Sequence, residues 1–104
     1  MLTDLEIDRY HDQGYIGVEN VLSSEEIQGL REVSDQLVEQ SRKITGHDDV
    51  FDLEPDHTPE SPKVRRIKSP ITVHPIFDQT IRHSVILDIV AQLIGPNIRT
   101  NGNK

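Results

Sequence analysis

The chain contains no cysteine, which excludes disulfide frameworks, thiolate metal sites and cysteine nucleophiles. Any metal chemistry would therefore use histidine and carboxylate ligands. Aromatic residues are scarce as well, with two Tyr, two Phe and no Trp. Because only 34% of the 104 residues are hydrophobic, the chain is one domain at most and builds a limited core alone. We expect a marginal small domain or a part of something larger.

Long apolar runs and excess positive charge are also missing. No stretch approaches the roughly 18 apolar residues that a membrane span requires, and the first residues lack the basic-then-apolar pattern of a signal peptide. We therefore expect a cytoplasmic protein with no membrane partner. The chain has eleven Lys and Arg and 18 Asp and Glu, which give a net charge of -7. Nucleic acid is a disfavoured partner, because binding phosphates requires clustered basic residues.

The same helix-start signal occurs twice near the N-terminus. Thr3 with Glu6, and Ser23 with Glu26, each form a potential capping box in which the hydroxyl and the carboxylate satisfy free backbone amides. Both are followed by apolar residues at helical spacing. The pattern predicts one helix that begins at each of these two positions.

The connection between these helices predicts a strand. Gly14 supplies a left-handed residue to end the first helix near Gln13, and Tyr15-Ile16-Gly17-Val18 is a short run of β-favouring residues. The second helix should fade near Ile44 and stop at Gly46. Residues 1–46 are thus predicted to form a helix–strand–helix unit.

The chain changes character at residue 47. Residues 47–62 contain three prolines and six acids without Lys or Arg, which predicts an acidic loop. Residues 63–68 then place basic and apolar side chains in a pattern typical of a strand with one wet face. We expect residues 63–104 to hold this basic strand, an apolar helix and the start of a further strand, all within one incomplete domain.

The apolar helix is predicted over residues 78–94. Eight of the ten residues at 85–94 are apolar, and Gly95-Pro96 gives the expected stop. A helix with so much apolar surface requires cover on most sides. We expect a sheet, or a second copy in a self-association through this helix, to cover the face that consists of Ile86, Ile89, Val90 and Leu93.

The order of these features resembles the start of the phytanoyl-CoA dioxygenase family. The resemblance covers essentially the whole chain: a helix, the Gly14-Tyr15 strand, the Ser23-capped helix, a variable loop, a basic strand, His74-Pro75-Ile76-Phe77, an apolar helix and Ile94-Gly95-Pro96-Asn97-Ile98. Each motif by itself occurs in many proteins, so the resemblance depends on their order and spacing together.

The resemblance implies an Fe(II) and 2-oxoglutarate dependent oxygenase that hydroxylates a small molecule. It also implies a jelly-roll (double-stranded β-helix) barrel decorated with N-terminal helices, of which this chain would be the helical scaffold. The family's His-x-Asp pair, distal His and keto-acid lysine are expected beyond Lys104. No catalytic, cofactor-binding or metal-binding residue is therefore assigned, and we expect the 104 residues alone to be inactive and to bind neither cofactor.

Two groups within the chain are candidates for chemistry. His47-Asp48-Asp49 matches the His-x-Asp pattern of an iron site. A metal site requires ligands on rigid elements, so we interpret this segment as a solvated loop. Arg65 and Arg66 are candidate substrate-binding residues, because guanidinium groups bind phosphate in paired hydrogen bonds. The simpler alternative is that the six upstream acids neutralise the basic strand.

A second function from a different class fits the same sequence. A small acidic helical module could dock its apolar helix on another protein without any catalysis. The two hypotheses differ in whether strands bearing a Lys, a His-x-Asp pair and a distant His belong to the same polypeptide.

Overall fold

The computed structural model describes residues 1–104. It consists of five helices and one two-stranded antiparallel sheet, which confirms the prediction of a mainly helical fold with short β segments. The elements in chain order are α1 (Asp4–Gln13), α2 (Ser24–Gln40) with a 3₁₀ turn (Ser41–Lys43), β1 (Phe51–Leu53), β2 (Val64–Ile67), α3 (Pro70–Val73), α4 (Pro75–Ile81) and α5 (Ser84–Ile94). No helix combines the length and the apolar character needed to cross a bilayer.

Both predicted capping boxes form. The Thr3 hydroxyl accepts the Glu6 amide while the Glu6 carboxylate accepts the Thr3 amide at 3.1 Å, and Ser23 and Glu26 repeat the arrangement with a return bond of 2.9 Å. These hydrogen bonds hold the pKa of each of the two glutamates below its usual value. A cap of this kind contributes about 1 kcal/mol, so local sequence fixes where α1 and α2 begin.

The predicted strand at residues 15–18 does not form. The segment makes no backbone hydrogen bond to another strand, and Tyr15 is 69% exposed. A strand requires a hydrogen-bonded neighbour, and β1 and β2 pair with each other instead. Gly14 nevertheless ends α1 as predicted, in the left-handed region at φ 84°.

The core lies between α2 and the β1–β2 hairpin. Val33 and Leu37 of α2 pack against Phe51 and Leu53 of β1, and all four side chains are buried. The prediction of a loop throughout residues 47–62 is therefore wrong for β1. Two apolar side chains that alternate around Asp52 made a strand possible there, and their burial on α2 stabilises it.

The predicted helix over residues 78–94 is divided into α4 and α5. His83 interrupts it with a non-helical backbone (φ -56°, ψ 128°), and its Nδ1 accepts the Val85 amide at 3.2 Å, so His83 caps a new helix. The stop at Gly95 is confirmed, with φ 93°. Residues 95–104 form no strand, and Asn103 instead bonds the Ser69 amide through its backbone carbonyl at 3.1 Å.

The chain is open rather than close-packed. Its radius of gyration is 17.0 Å, compared with about 13 Å for a compact domain of 100 residues. Seven of the 104 residues are buried, and none of these lies in α4 or α5. Most apolar side chains outside the α2–hairpin core are therefore half-buried at best.

Replacement of Leu37 by Ala should test this small core. Leu37 is 4% exposed, and a Leu-to-Ala change at a buried site costs about 2–5 kcal/mol in free energy of unfolding. The matched control is Leu5→Ala on α1, where the side chain is 68% exposed and the expected change is within about 0.5 kcal/mol. Urea titration followed by circular dichroism measures both, and equal effects would contradict this assignment of the core.

Candidate functional site

The β1–β2 hairpin contains a bulge that places two consecutive arginines outside the core. Asp52 pairs with Arg66 and Leu53 pairs with Val64, so Arg65 is an extra residue on β2. The bulge returns Val64 to the core side, opposite Leu53, while Arg65 and Arg66 both remain exposed. The short strand β2 therefore presents two neighbouring guanidinium groups on its exposed side.

Asp52 is the centre of charge on this hairpin. Its carboxylate accepts a hydrogen bond from Arg66 Nε, and Lys68 Nζ lies 3.1 Å from its other oxygen. The Arg66 hydrogen bond and then that of Lys68 hold the pKa of Asp52 below its usual range. Lys68 Nζ also donates to the Asp48 carbonyl at 2.7 Å. Lys68, which directly follows β2, therefore links that strand to the residues before β1.

The two candidate arginines have different surroundings. Arg66 is committed to the largely buried carboxylate of Asp52, whose side chain is 12% exposed. Arg65 lies 3.4 Å from the Glu54 carboxylate, and both of those side chains are about half exposed. Lys63 bonds Asp56 at 2.5 Å. Three of the six acids of residues 47–62, Asp52, Glu54 and Asp56, thus pair with the basic strand, and the Arg65 pair is the looser one.

A cleft of about 310 Å³ lies beside this hairpin. Its titratable lining groups are His47, Glu54, His57 and Arg65. His47 Nδ1 accepts the Leu53 amide at 2.9 Å, and both ring nitrogens of His57 face backbone groups. The two imidazoles therefore act as structural hydrogen-bonding groups at this cleft.

The His47-Asp48-Asp49 sequence is a turn that leads into β1. The Asp48 carboxylate accepts the amides of Val50 at 2.8 Å and Phe51 at 2.7 Å. The Phe51 bond and then the Val50 bond lower the pKa of Asp48. No group of three His, Asp or Glu side chains in residues 1–104 has an arrangement that could hold a metal ion. The residues present therefore do not fit the family's iron.

A second surface is wholly apolar. Ile16, Val18 and Val21 line one side of a groove of about 220 Å³. The other side is the predicted face of α5, with Ile86, Ile89, Val90 and Leu93. We expected a sheet or a second chain to cover this face. In this structure residues 16–21 cover part of it, and Ile94, the residue after Leu93, is still 60% exposed.

Sequence reasoning missed the bulge and the role of His83. Two adjacent arginines between Val64 and Ile67 break the period of two, which is the signal for an extra residue. The helix predicted over residues 78–94 gave His83 no separate role, yet its side chain is 19% exposed and its Nε2 lies 2.6 Å from Glu26. No short-range pattern indicates that contact, because the two residues are far apart in the chain.

Replacement of Asp52 by Asn should lower the stability of the fold at neutral pH. It should also remove part of the loss of stability that the wild type shows as the pH falls. The folded-state pKa of Asp52 is depressed, so its contribution is present above the unfolded pKa near 3.9 and is lost as the pH falls through the folded pKa. Melting temperatures of wild type and D52N should therefore differ at about pH 7 and converge only as the pH falls below the depressed folded-state pKa of Asp52. The control is Asp35→Asn, at an exposed position on α2. A pH-independent difference for D52N would contradict this interpretation.

Comparison with known proteins gives a consistent result. The profile of the family described as Phytanoyl-CoA dioxygenase (PhyH) matches residues 10–102. A protein of Stutzerimonas stutzeri named "Probable alpha-ketoglutarate-dependent hypophosphite dioxygenase" is 24% identical over 95 residues, which cover 91% of this chain and 33% of that protein. The chain therefore spans about a third of the length of this relative. No solved structure matches. The chain belongs to the phytanoyl-CoA dioxygenase family.

Proposed function

We propose that this chain is the helical scaffold of a non-haem iron, 2-oxoglutarate-dependent oxygenase. The observation that carries the proposal is the family match over residues 10–102. A relative whose name is that of an α-ketoglutarate-dependent dioxygenase supports it. The reaction class is hydroxylation of a small molecule, with Fe(II) and 2-oxoglutarate as the cofactors of the whole enzyme.

The cofactors belong, in this proposal, to a jelly-roll barrel outside residues 1–104. Two His and one carboxylate hold iron in enzymes of this class and leave open positions for other ligands. The described residues bring no such group of three together. The family's His-x-Asp motif is therefore not His47-Asp48-Asp49, whose first two side chains already bond the backbone around β1.

The scaffold role agrees with the open packing of the chain. The α5 groove is wholly apolar, and α5 has no buried residue although most of its side chains are apolar. Cover by the barrel would remove this surface from water, at about 25 cal/mol for each Å² of apolar area buried. The residues form one incomplete domain that the remaining sheet completes.

Arg65 and Arg66 are our candidates for contact with an anionic substrate. Guanidinium groups bind phosphorus and carboxylate oxyanions through paired hydrogen bonds. Arg65 is the stronger of the two candidates, because its pair with Glu54 is long and exposed. Arg66 would have to give up Asp52 first. The name of the Stutzerimonas relative specifies hypophosphite, which is also an anion of phosphorus.

An interaction module without catalysis is the second candidate. It is favoured by the exposed apolar side chains of α5, which include Val85, Leu87 and Ile94. Self-association of two copies through this helix would cover them. This candidate predicts no effect of Arg65 on any small-molecule reaction.

The isolated 104 residues should not convert 2-oxoglutarate to succinate. The expected yield with Fe(II), ascorbate and oxygen is that of a protein-free blank, because the chain offers no triad of ligands for the iron. Calorimetric titration with Mn(II) as an oxygen-stable substitute should likewise give no saturable binding. Succinate above the blank, lost on addition of a chelator, would overturn the proposed division between scaffold and barrel.

Within the whole enzyme, Arg65→Ala should raise the KM for an anionic substrate about tenfold or more, as expected for loss of one charge-assisted pair. The melting temperature should change little, since the ion pair of Arg65 is exposed. The matched variant Arg66→Ala should lower the melting temperature more, because it leaves the carboxylate of Asp52 without its main partner. An unchanged KM for both variants would remove these arginines from the substrate site.

A further inference from the structure

His57 uses both ring nitrogens to bond backbone groups. Its Nδ1 accepts the Lys63 amide at 2.9 Å, and its Nε2 lies 3.0 Å from the Ile44 carbonyl. An amide can only donate and a carbonyl can only accept, so the two partners require a neutral imidazole with its hydrogen on Nε2. The residue is half-buried. One ionisation state and one tautomer therefore satisfy this position.

The contacts of His57 join three parts of the chain. Ile44 follows the 3₁₀ turn after α2, and Lys63 immediately precedes β2. The Lys63 carbonyl in turn accepts the Glu54 amide at 2.9 Å, and the His57 amide donates to the Glu54 carbonyl at 3.0 Å. The imidazole thus holds the connection between β1 and β2 to the segment that follows α2.

We propose that His57 is a pH-sensitive clasp that holds the connection between β1 and β2 closed when neutral and releases it when protonated. Protonation places a hydrogen on Nδ1, where the Lys63 amide already points, so the acceptor becomes a second donor. The Lys63 amide then loses its acceptor, so Lys63, an exposed residue just before β2, is no longer held to the imidazole. The Ile44 bond survives, so release begins on the β2 side of the connection.

The charged groups around His57 do not compensate its protonation. Glu54 and Arg65 line the same cleft and pair with each other, and His47 lines it from the turn before β1. Asp56 is bonded to the Lys63 ammonium. From the 3₁₀ turn, Arg42 donates to the carbonyls of Pro59 and Glu60. The nearby carboxylates with identified partners are thus already engaged with cations.

Three other histidines also accept backbone amides through Nδ1, namely His47, His74 and His83. A global acid unfolding curve would therefore not report on His57 alone. Glu26 lies 2.6 Å from Nε2 of His83, so that histidine also has a carboxylate partner. A test of the clasp consequently needs a local measurement at Lys63. The inference does not depend on the proposed enzymatic function.

The experiment measures amide hydrogen exchange at Lys63 in the ¹⁵N-labelled 104-residue chain at about pH 7.5 and pH 5.5, corrected for the intrinsic pH dependence of exchange. We expect the protection factor to fall severalfold at the lower pH, because a protonated imidazole no longer accepts the Lys63 amide. Long-range ¹H–¹⁵N spectra at the higher pH should show His57 with its hydrogen on Nε2.

The decisive variant is His57→Gln, which retains a donor and an acceptor but does not titrate in this range. Its Lys63 protection should be the same at both pH values. His11→Gln, on the exposed surface of α1, is the control and should keep the fall seen in the wild type. A hydrogen on Nδ1 in the wild type, an unprotected Lys63 amide at the higher pH, or unchanged protection at the lower pH would each overturn the clasp. Should H57Q not fold, the wild-type measurements decide alone.

Discussion

Contact between α2 and the β1–β2 hairpin is the constraint on which the rest of this structure depends. Four buried side chains, Val33, Leu37, Phe51 and Leu53, make that contact. Ion pairs of Asp52 and the backbone bonds of His57 then fix how β2 and its connection lie on β1. Arg65 and the cleft beside it are positioned through this contact, so the candidate substrate residues depend on a core of four residues.

The starts of four helices are specified locally more than by packing. The capping boxes at Thr3 and Ser23 define the starts of α1 and α2, while His74 and His83 accept amides at the starts of α4 and α5. Hydrogen bonds over two or three residues need no distant partner. This explains how a chain with seven buried residues still has four helices with defined starts. Because these helices form without close packing, the α5 groove remains open to a partner.

The parts predicted correctly from sequence are those with short-range causes. Both capping boxes, the helix ends at Gly14 and Gly95 and the basic strand are confirmed, because each depends on residues within a few positions. The strand at residues 15–18 failed because local preference cannot supply a hydrogen-bonded neighbour. β1 was missed because its burial depends on α2, and acids and prolines dominate the composition around it. The division of residues 78–94 into two helices depends on a single histidine, which no periodicity indicates.

The bulge at Arg65 has a consequence for how this hairpin tolerates changes in length. Loss of Arg65 would convert a two-for-one pairing into a regular ladder in which Val64, Arg66 and Ile67 face the same partners as before. Val64 and Ile67 would stay on the core side, and Arg66 would still reach Asp52. Deletion of one codon at position 65 is therefore compatible with the fold, whereas deletion at 64 or 67 moves a charged side chain toward the core.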